Sequence, residues 1–137
     1  MELKLDKLKT NDTVWIISDN SLAYPDLFSI KDKWSSHGDR YASGFYRDDN
    51  MLSQVSDIAY RFFDSERDAW EAFWEEPHKI GFKLRQVSAL SKQKIIKKSR
   101  IKLNKDKYSE IIAILVEMGI EISDIDYPED IKATFLF

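Results

Sequence analysis

The sequence FDSERDAWEAFWEEP, residues 63–77, marks the change of pattern that divides this chain. The apolar residues before Phe63 alternate or form short runs, as in strands, whereas those within residues 63–77 recur at helical spacing. Asp64 or Ser65 can cap the first N–H groups, acidic residues follow in the first turn, and Pro77 ends the run. The pattern predicts a short helix over residues 65–76.

The residues before this helix predict antiparallel strands. Residues 13–18, TVWIIS, form a β-branched apolar run that is typical of a buried strand. Residues 27–35 alternate, with Phe28 and Ile30 on one face and Trp34 as a further candidate for that face. Turn residues 36–39 then lead to a return strand over residues 40–47, which indicates a hairpin. Residues 51–63 predict one further strand.

The residues after Pro77 predict a basic β-rich segment. Apolar residues at positions 80, 82 and 84 alternate with basic residues at 79, 83 and 85, and residues 99–103 alternate in the same way. Residues 88–98 fit a helix or a strand. Two strands with a basic outer face would form a flat cationic surface.

The last part of the chain predicts a helix and a strand. Asn104 can cap a long amphipathic helix whose apolar residues follow the 3–4 spacing from Tyr108 to Met118, and Gly119 ends it. An acidic turn over residues 124–130 and a strand over 131–137 follow. The expected fold is α+β, with an acidic sheet or barrel and closing helix in residues 1–78. A basic segment, helix and last strand in residues 79–137 would pack on that first half.

Three features of the first half resemble small phage-encoded accessory proteins that have an SH3-like barrel and a trailing helix. They are the polar entry to the first strand, TNDTVW at 10–15, a second strand containing Trp34, and the closing Phe62-Phe63-Asp64 with Glu66 and Ala69 on the next helix. The resemblance implies an SH3-like barrel for this half. It implies no activity and no functional residue, because such proteins mostly have no assigned activity.

Charge is strongly segregated along the chain. Residues 79–107 hold eleven Lys and Arg against one acid, a net charge of +10, whereas residues 1–78 carry −7 and residues 108–137 carry −6. The middle therefore either meets an anionic partner or folds against the protein's own acidic surfaces.

The basic segment supplies the candidate binding residues. Nine lysines against two arginines favour contact with a phosphate backbone or an acidic groove over base readout, which prefers bidentate arginine. The alternative is a solvated surface balanced by neighbouring acids. The candidates for contact with nucleic acid or an acidic partner are Lys83, Arg85, Lys92, Lys94, Lys97, Lys98, Arg100 and Lys102.

The aromatic helix supplies a second set of candidates. Trp70, Phe73 and Trp74 cannot all point one way on a helix, so Trp70 or Trp74 could anchor a protein partner. The favoured alternative is a wide core face.

The sequence offers little for catalysis. Cysteine is absent, and His37 and His78 have no zinc-ligand spacing. Asp48 and Asp49, or Asp124 and Asp126, could serve a metal-dependent nuclease, but both groups lie in predicted turns where Asp is common. We therefore expect no catalytic residue, no metal and no cofactor.

These patterns favour a non-enzymatic binding protein. The expected role is a phage-type accessory or inhibitory factor that occupies a site on a host protein or nucleoprotein complex. The acidic first half offers a second surface, which could contact a basic groove. Direct nucleic-acid binding, a metal-dependent nuclease and a self-assembling structural protein are the alternatives. No apolar run approaches membrane-spanning length, so we expect a cytoplasmic protein without a membrane partner.

Overall fold

The structure, a computed structural model, describes residues 1–19 and 22–122. The chain divides into two compact units, Met1–Phe73 and Trp74–Phe137. The strands of the first unit are β1 Glu2–Leu3, β2 Thr13–Ser18, β3 Asp26–Ser36, β4 Asp39–Tyr46, β5 Ser53–Ser56 and β6 Tyr60–Phe63. A short 3-10 helix covers Leu5–Lys7, and α1 covers Glu66–Phe73. The second unit contains α2 Pro77–Leu84, α3 Ala89–Lys102 and α4 Lys105–Glu117.

The six strands form one antiparallel sheet in the order β1-β6-β2-β3-β4-β5. Within the described ranges no pairing joins the edge strands β1 and β5, so the sheet is open. The predicted α+β class and the antiparallel sheet are confirmed. The predicted alternative, a closed SH3-like barrel, does not form within the described residues.

The β3–β4 hairpin is confirmed, with one correction to its faces. His37 and Gly38 both have positive φ, 54° and 85°, which matches the twist of a two-residue hairpin turn. A bulge between Ile30 and Asp32 adds one residue to β3 and reverses the alternation beyond it. Trp34 therefore leaves the core face and is 39% exposed.

The single strand expected over residues 51–63 is wrong, because a turn divides it into β5 and β6. Asp57 donates its N–H to the Arg40 carbonyl (3.1 Å), and the Ala59 carbonyl accepts from the N–H of Asp19 (2.8 Å). These bonds hold the turn between the two strands. As a result, β5 pairs with β4, and β6 pairs with β2 and β1.

The sheet buries apolar side chains on both faces. Strand β2 sends Val14 and Ile16 into one cluster, which also contains Phe28, Ile30, Val55 and Phe62. It sends Ile17 into a second cluster with Phe63 and Ala69 of α1. This two-sided burial explains why residues 13–18 read as a continuous apolar run and not as an alternation.

The helix expected over residues 65–76 is present as α1, but it ends earlier, at Phe73. Pro77 is the first residue of α2, where a missing N–H carries no cost. The strand expected over residues 79–85 is therefore wrong. Ile80 and Leu84 are buried one turn apart, whereas Phe82 points outward and is 58% exposed.

The second basic strand, over residues 99–103, is also wrong. Helix α3 runs through it to Lys102, and the Ser88 side chain caps the start by accepting from the Ser91 N–H (3.2 Å). Ile95, Ile96 and Ser99 form its buried face. The flat cationic sheet therefore does not form, and the basic residues of the segment other than Arg85 lie on helices.

The long amphipathic helix is confirmed as α4. The Asn104 side chain accepts from the Lys107 N–H (2.8 Å), and Ile111, Ile112 and Leu115 are buried. Gly119, at φ 77°, follows the helix end as expected. The acidic turn over residues 124–130 and the strand over 131–137 lie outside the described residues.

Candidate anion-binding surface

Residues 77–105 form the most basic part of the chain. This span contains ten Lys and Arg and no Asp or Glu. Six of these ten lie on the fourteen residues of α3, and two lie on α2. Because no acid interrupts the span, its two helices carry positive charge only.

Helix α3 presents most of the predicted binding residues. Lys94, Lys97, Arg100 and Lys102 are exposed, and Lys92 and Lys98 are half-buried toward the core side. The half-buried lysines keep charged ends that can reach solvent along their long stems. The structure thus brings six of the eight predicted residues together on one helix.

The two remaining predicted residues, Lys83 and Arg85, lie outside α3. The Arg85 guanidinium donates to the Met118 carbonyl, which is the C-cap of α4. This bond satisfies a helix-end carbonyl and places a cation at the negative end of the helix. Arg85 therefore has a structural role, and Lys83 is half-buried on α2.

The outer stripe of α3 consists of Leu90, Lys94, Lys97 and Ile101. These positions are spaced four, three and four residues apart, so they share one face opposite the buried Ile95 and Ser99. Leu90 is 82% exposed and Ile101 is 76% exposed. The most exposed part of the basic helix is therefore apolar at both ends and cationic between them.

The two tryptophans expected as anchors lie in cores. Trp70 is 1% exposed and stacks on Tyr24 with ring centroids 5.9 Å apart. Trp74 is fully buried, and its indole N–H donates to the Ser99 hydroxyl (2.8 Å). The favoured core interpretation describes both residues, and neither offers an exposed ring to a partner.

The turn aspartates considered as metal ligands of a nuclease have ordinary structural roles where the structure describes them. Asp48 adopts positive φ (61°), and the Asp49 carboxylate accepts from the Met51 N–H (2.9 Å), as turn residues do. Across residues 1–19 and 22–122, no group of three or more His, Asp or Glu could hold a metal ion. Asp124 and Asp126 lie outside that part of the chain.

A separate polar groove of about 470 Å³ lies in the first unit beside β1 and β6. Arg61 pairs with both carboxylate oxygens of Glu2 (2.9 and 3.0 Å), and this hydrogen bond lowers the pKa of Glu2 below its usual 4.5. Arg40 lies 3.9 Å from the carboxylates of Asp6 and Asp57. Because these charges are paired with each other, the groove has little unbalanced charge with which to select a ligand.

Sequence reasoning missed Leu90 and Ile101. Their exposure follows from α3 being one continuous helix, whereas residues 88–98 fitted two interpretations and 99–103 were assigned to a strand. The helical cap at Ser88 is the signal that favours one helix. A single helix places residues 90, 94, 97 and 101 on one stripe.

Comparison with known proteins gives no match: no protein-family model, curated protein or solved structure resembles the chain at a significant level. No helix in the described part of the chain has the length and apolar character needed to cross a lipid bilayer.

Proposed function

We propose that this protein is a non-enzymatic binding protein that docks on an anionic macromolecule through the basic helices α2 and α3. The observation that carries the proposal is the acid-free span of residues 77–105, with six cations on the single helix α3. A surface of one sign steers an oppositely charged partner and disfavours partners of like charge. The protein would act by occupying a site, as an accessory or inhibitory factor of phage type.

Direct binding of nucleic acid is the second candidate. It is supported by the excess of lysine over arginine, which suits contacts with phosphates more than base readout. A helix of fourteen residues is about 21 Å long and can lie along a duplex groove.

The test of the proposed function is fluorescence anisotropy with three anionic probes: a DNA duplex, a single-stranded RNA and polyglutamate. We expect salt-dependent binding at low salt that is lost when Lys94, Lys97, Lys98 and Lys102 are changed to Glu. A matched control changes four lysines of the first unit, Lys4, Lys7, Lys9 and Lys31, to Glu. It gives the same change in net charge at exposed positions.

The two variants separate local from global charge effects. Binding that survives in the control but not in the α3 variant supports α3 as the docking surface. If both variants lose binding equally, net charge alone is responsible and α3 has no special role. Absence of binding to all three probes at low salt contradicts the proposed function, because phosphate and carboxylate contacts are strongest there.

A further inference from the structure

The outer stripe of α3 has the spacing of a coiled-coil seam. Positions 90, 94, 97 and 101 follow the four-three-four interval of alternating a and d positions in a heptad repeat. In such a seam each side chain packs between four residues of a facing helix. The stripe therefore has the geometry to receive a second helix along about 16 Å, the rise from Leu90 to Ile101.

The two ends of the stripe, Leu90 and Ile101, are apolar and would be covered best by apolar side chains of a partner. Leu90 and Ile101 are two of the most exposed large apolar side chains in the described part of the chain. Single exposed apolar residues are common on protein surfaces. These two lie on one face of the most basic helix, three turns apart, so a partner that runs along α3 would cover both. A phosphate backbone gives them nothing to pack against.

The centre of the stripe is cationic and favours acidic residues on the partner. Lys94 and Lys97 occupy the two inner seam positions, and a second copy of α3 would place lysine against lysine there. Like charges facing each other in a seam destabilise pairing, whereas a polar residue at such a position selects a complementary partner. The stripe thus disfavours self-association through this face.

We infer that the partner of this surface is an acidic amphipathic helix of another protein, with glutamate or aspartate facing Lys94 and Lys97 and apolar residues facing Leu90 and Ile101. This inference rests on the proposed function and names the class of its anionic partner. Charge supplies orientation and the rate of encounter, and the two apolar contacts supply the affinity that remains at physiological salt.

The test uses synthetic helical peptides of about 18 residues, long enough to span the stripe. The first peptide carries glutamates at its central seam positions and leucines at the outer ones. The second has serines in place of the leucines, and the third has lysines in place of those glutamates. A DNA duplex is the fourth probe. Binding is measured by anisotropy at about 0.15 M salt, where exposed charges are screened beyond about 8 Å.

We expect the leucine peptide to bind at least about tenfold more tightly than the serine peptide. Leu90→Ser and Ile101→Ser should each weaken binding of the leucine peptide by about tenfold, since each removes a buried aliphatic contact. Met51→Ser is the matched control, because Met51 is 75% exposed but lies in the first unit, and it should change nothing. Lys97→Glu should abolish binding of the first peptide and allow binding of the lysine peptide.

Both serine variants replace exposed side chains, and a helical circular dichroism signal equal to that of the wild type shows that they are folded. Equal binding of the leucine and serine peptides, or tighter binding of the duplex, overturns this inference. If the α3 charge variant still loses binding in that case, the proposed function stands. If no probe binds at low or physiological salt, both are overturned.

Discussion

Changing Ser99 to Ala isolates one buried polar contact in the second unit. Ser99 is fully buried on α3, and its hydroxyl accepts from the Trp74 indole N–H (2.8 Å) while donating to the Ile95 carbonyl (2.7 Å). Trp74 is also fully buried, so water cannot replace the lost acceptor. We expect Ser99→Ala to lower the free energy of unfolding.

The size of the effect follows from two opposing contributions. Leaving a buried N–H without an acceptor costs about 1–3 kcal/mol. Alanine is the better helix former and returns about 0.5 kcal/mol. The Ile95 carbonyl also belongs to the helical hydrogen-bond ladder, so its loss of the Ser99 hydroxyl is less costly. The net destabilisation should be about 1–2 kcal/mol.

A double-mutant cycle with Trp74→Phe tests the cause. Phenylalanine has no N–H to satisfy, so Ser99→Ala in that background should cost less than about 0.5 kcal/mol. The difference in cost between the two backgrounds measures the Trp74–Ser99 interaction, free of the change in ring volume.

Urea denaturation at neutral pH, followed by circular dichroism at the helical band, is the assay. Most of the described helical residues belong to the second unit, so this signal reports mainly on the core that contains Ser99. If Ser99→Ala costs the same with Trp74 or with phenylalanine at position 74, the hydrogen bond does not stabilise the unit and the reasoning is refuted.

Two further predictions concern the first unit. In Gly44→Ala the new methyl group would overlap the Ser29 carbonyl and lie 2.8 Å from the Phe28 ring. We expect a loss of about 3 kcal/mol or more by urea denaturation, and a loss below about 1 kcal/mol would contradict this packing. Burial, with help from a neighbouring tyrosine and Asp26, raises the pKa of Tyr46 to about 12, so its charged form is disfavoured in the fold. The stability of the wild type should therefore fall as pH rises from 10 to 12, and the free energy of unfolding of Tyr46→Phe should fall less steeply over the same range.

The parts of the fold that could be predicted from sequence are those with local signals. The hairpin follows from turn residues around Gly38, and the Asn104 cap with its 3–4 spacing identifies α4 in the same way. The bulge in β3 has no comparable signal, since only the pairing partner decides where an extra residue fits. That is why the outward direction of Trp34 could not be predicted.

The basic segment shows where alternation is a poor guide. Ile80, Phe82 and Leu84 alternate as in a strand, yet Ile80 and Leu84 also match one helical turn. The sequence pattern does not include the tertiary packing of α2, in which an added Cβ at Gly81 would lie 2.7 Å from the Met118 sulfur. The net charge of the candidate surface could be predicted from sequence, because it depends only on which residues the segment contains. The shape of that surface could not.

The bulge in β3 also sets a gradient of local stability along the hairpin. From residue 34 to residue 41 every side chain is exposed or half-buried. Besides the strand pairing, the contacts of this tip include the stacked Trp34 and Tyr41 rings and the bonds of Arg40 to Asp57. Amide hydrogens there can exchange by fraying of the tip while the strands below the bulge stay closed. In β2, whose apolar side chains are covered on both faces, exchange requires opening of the whole sheet. We therefore expect the tip of the hairpin to open and close without unfolding of the unit.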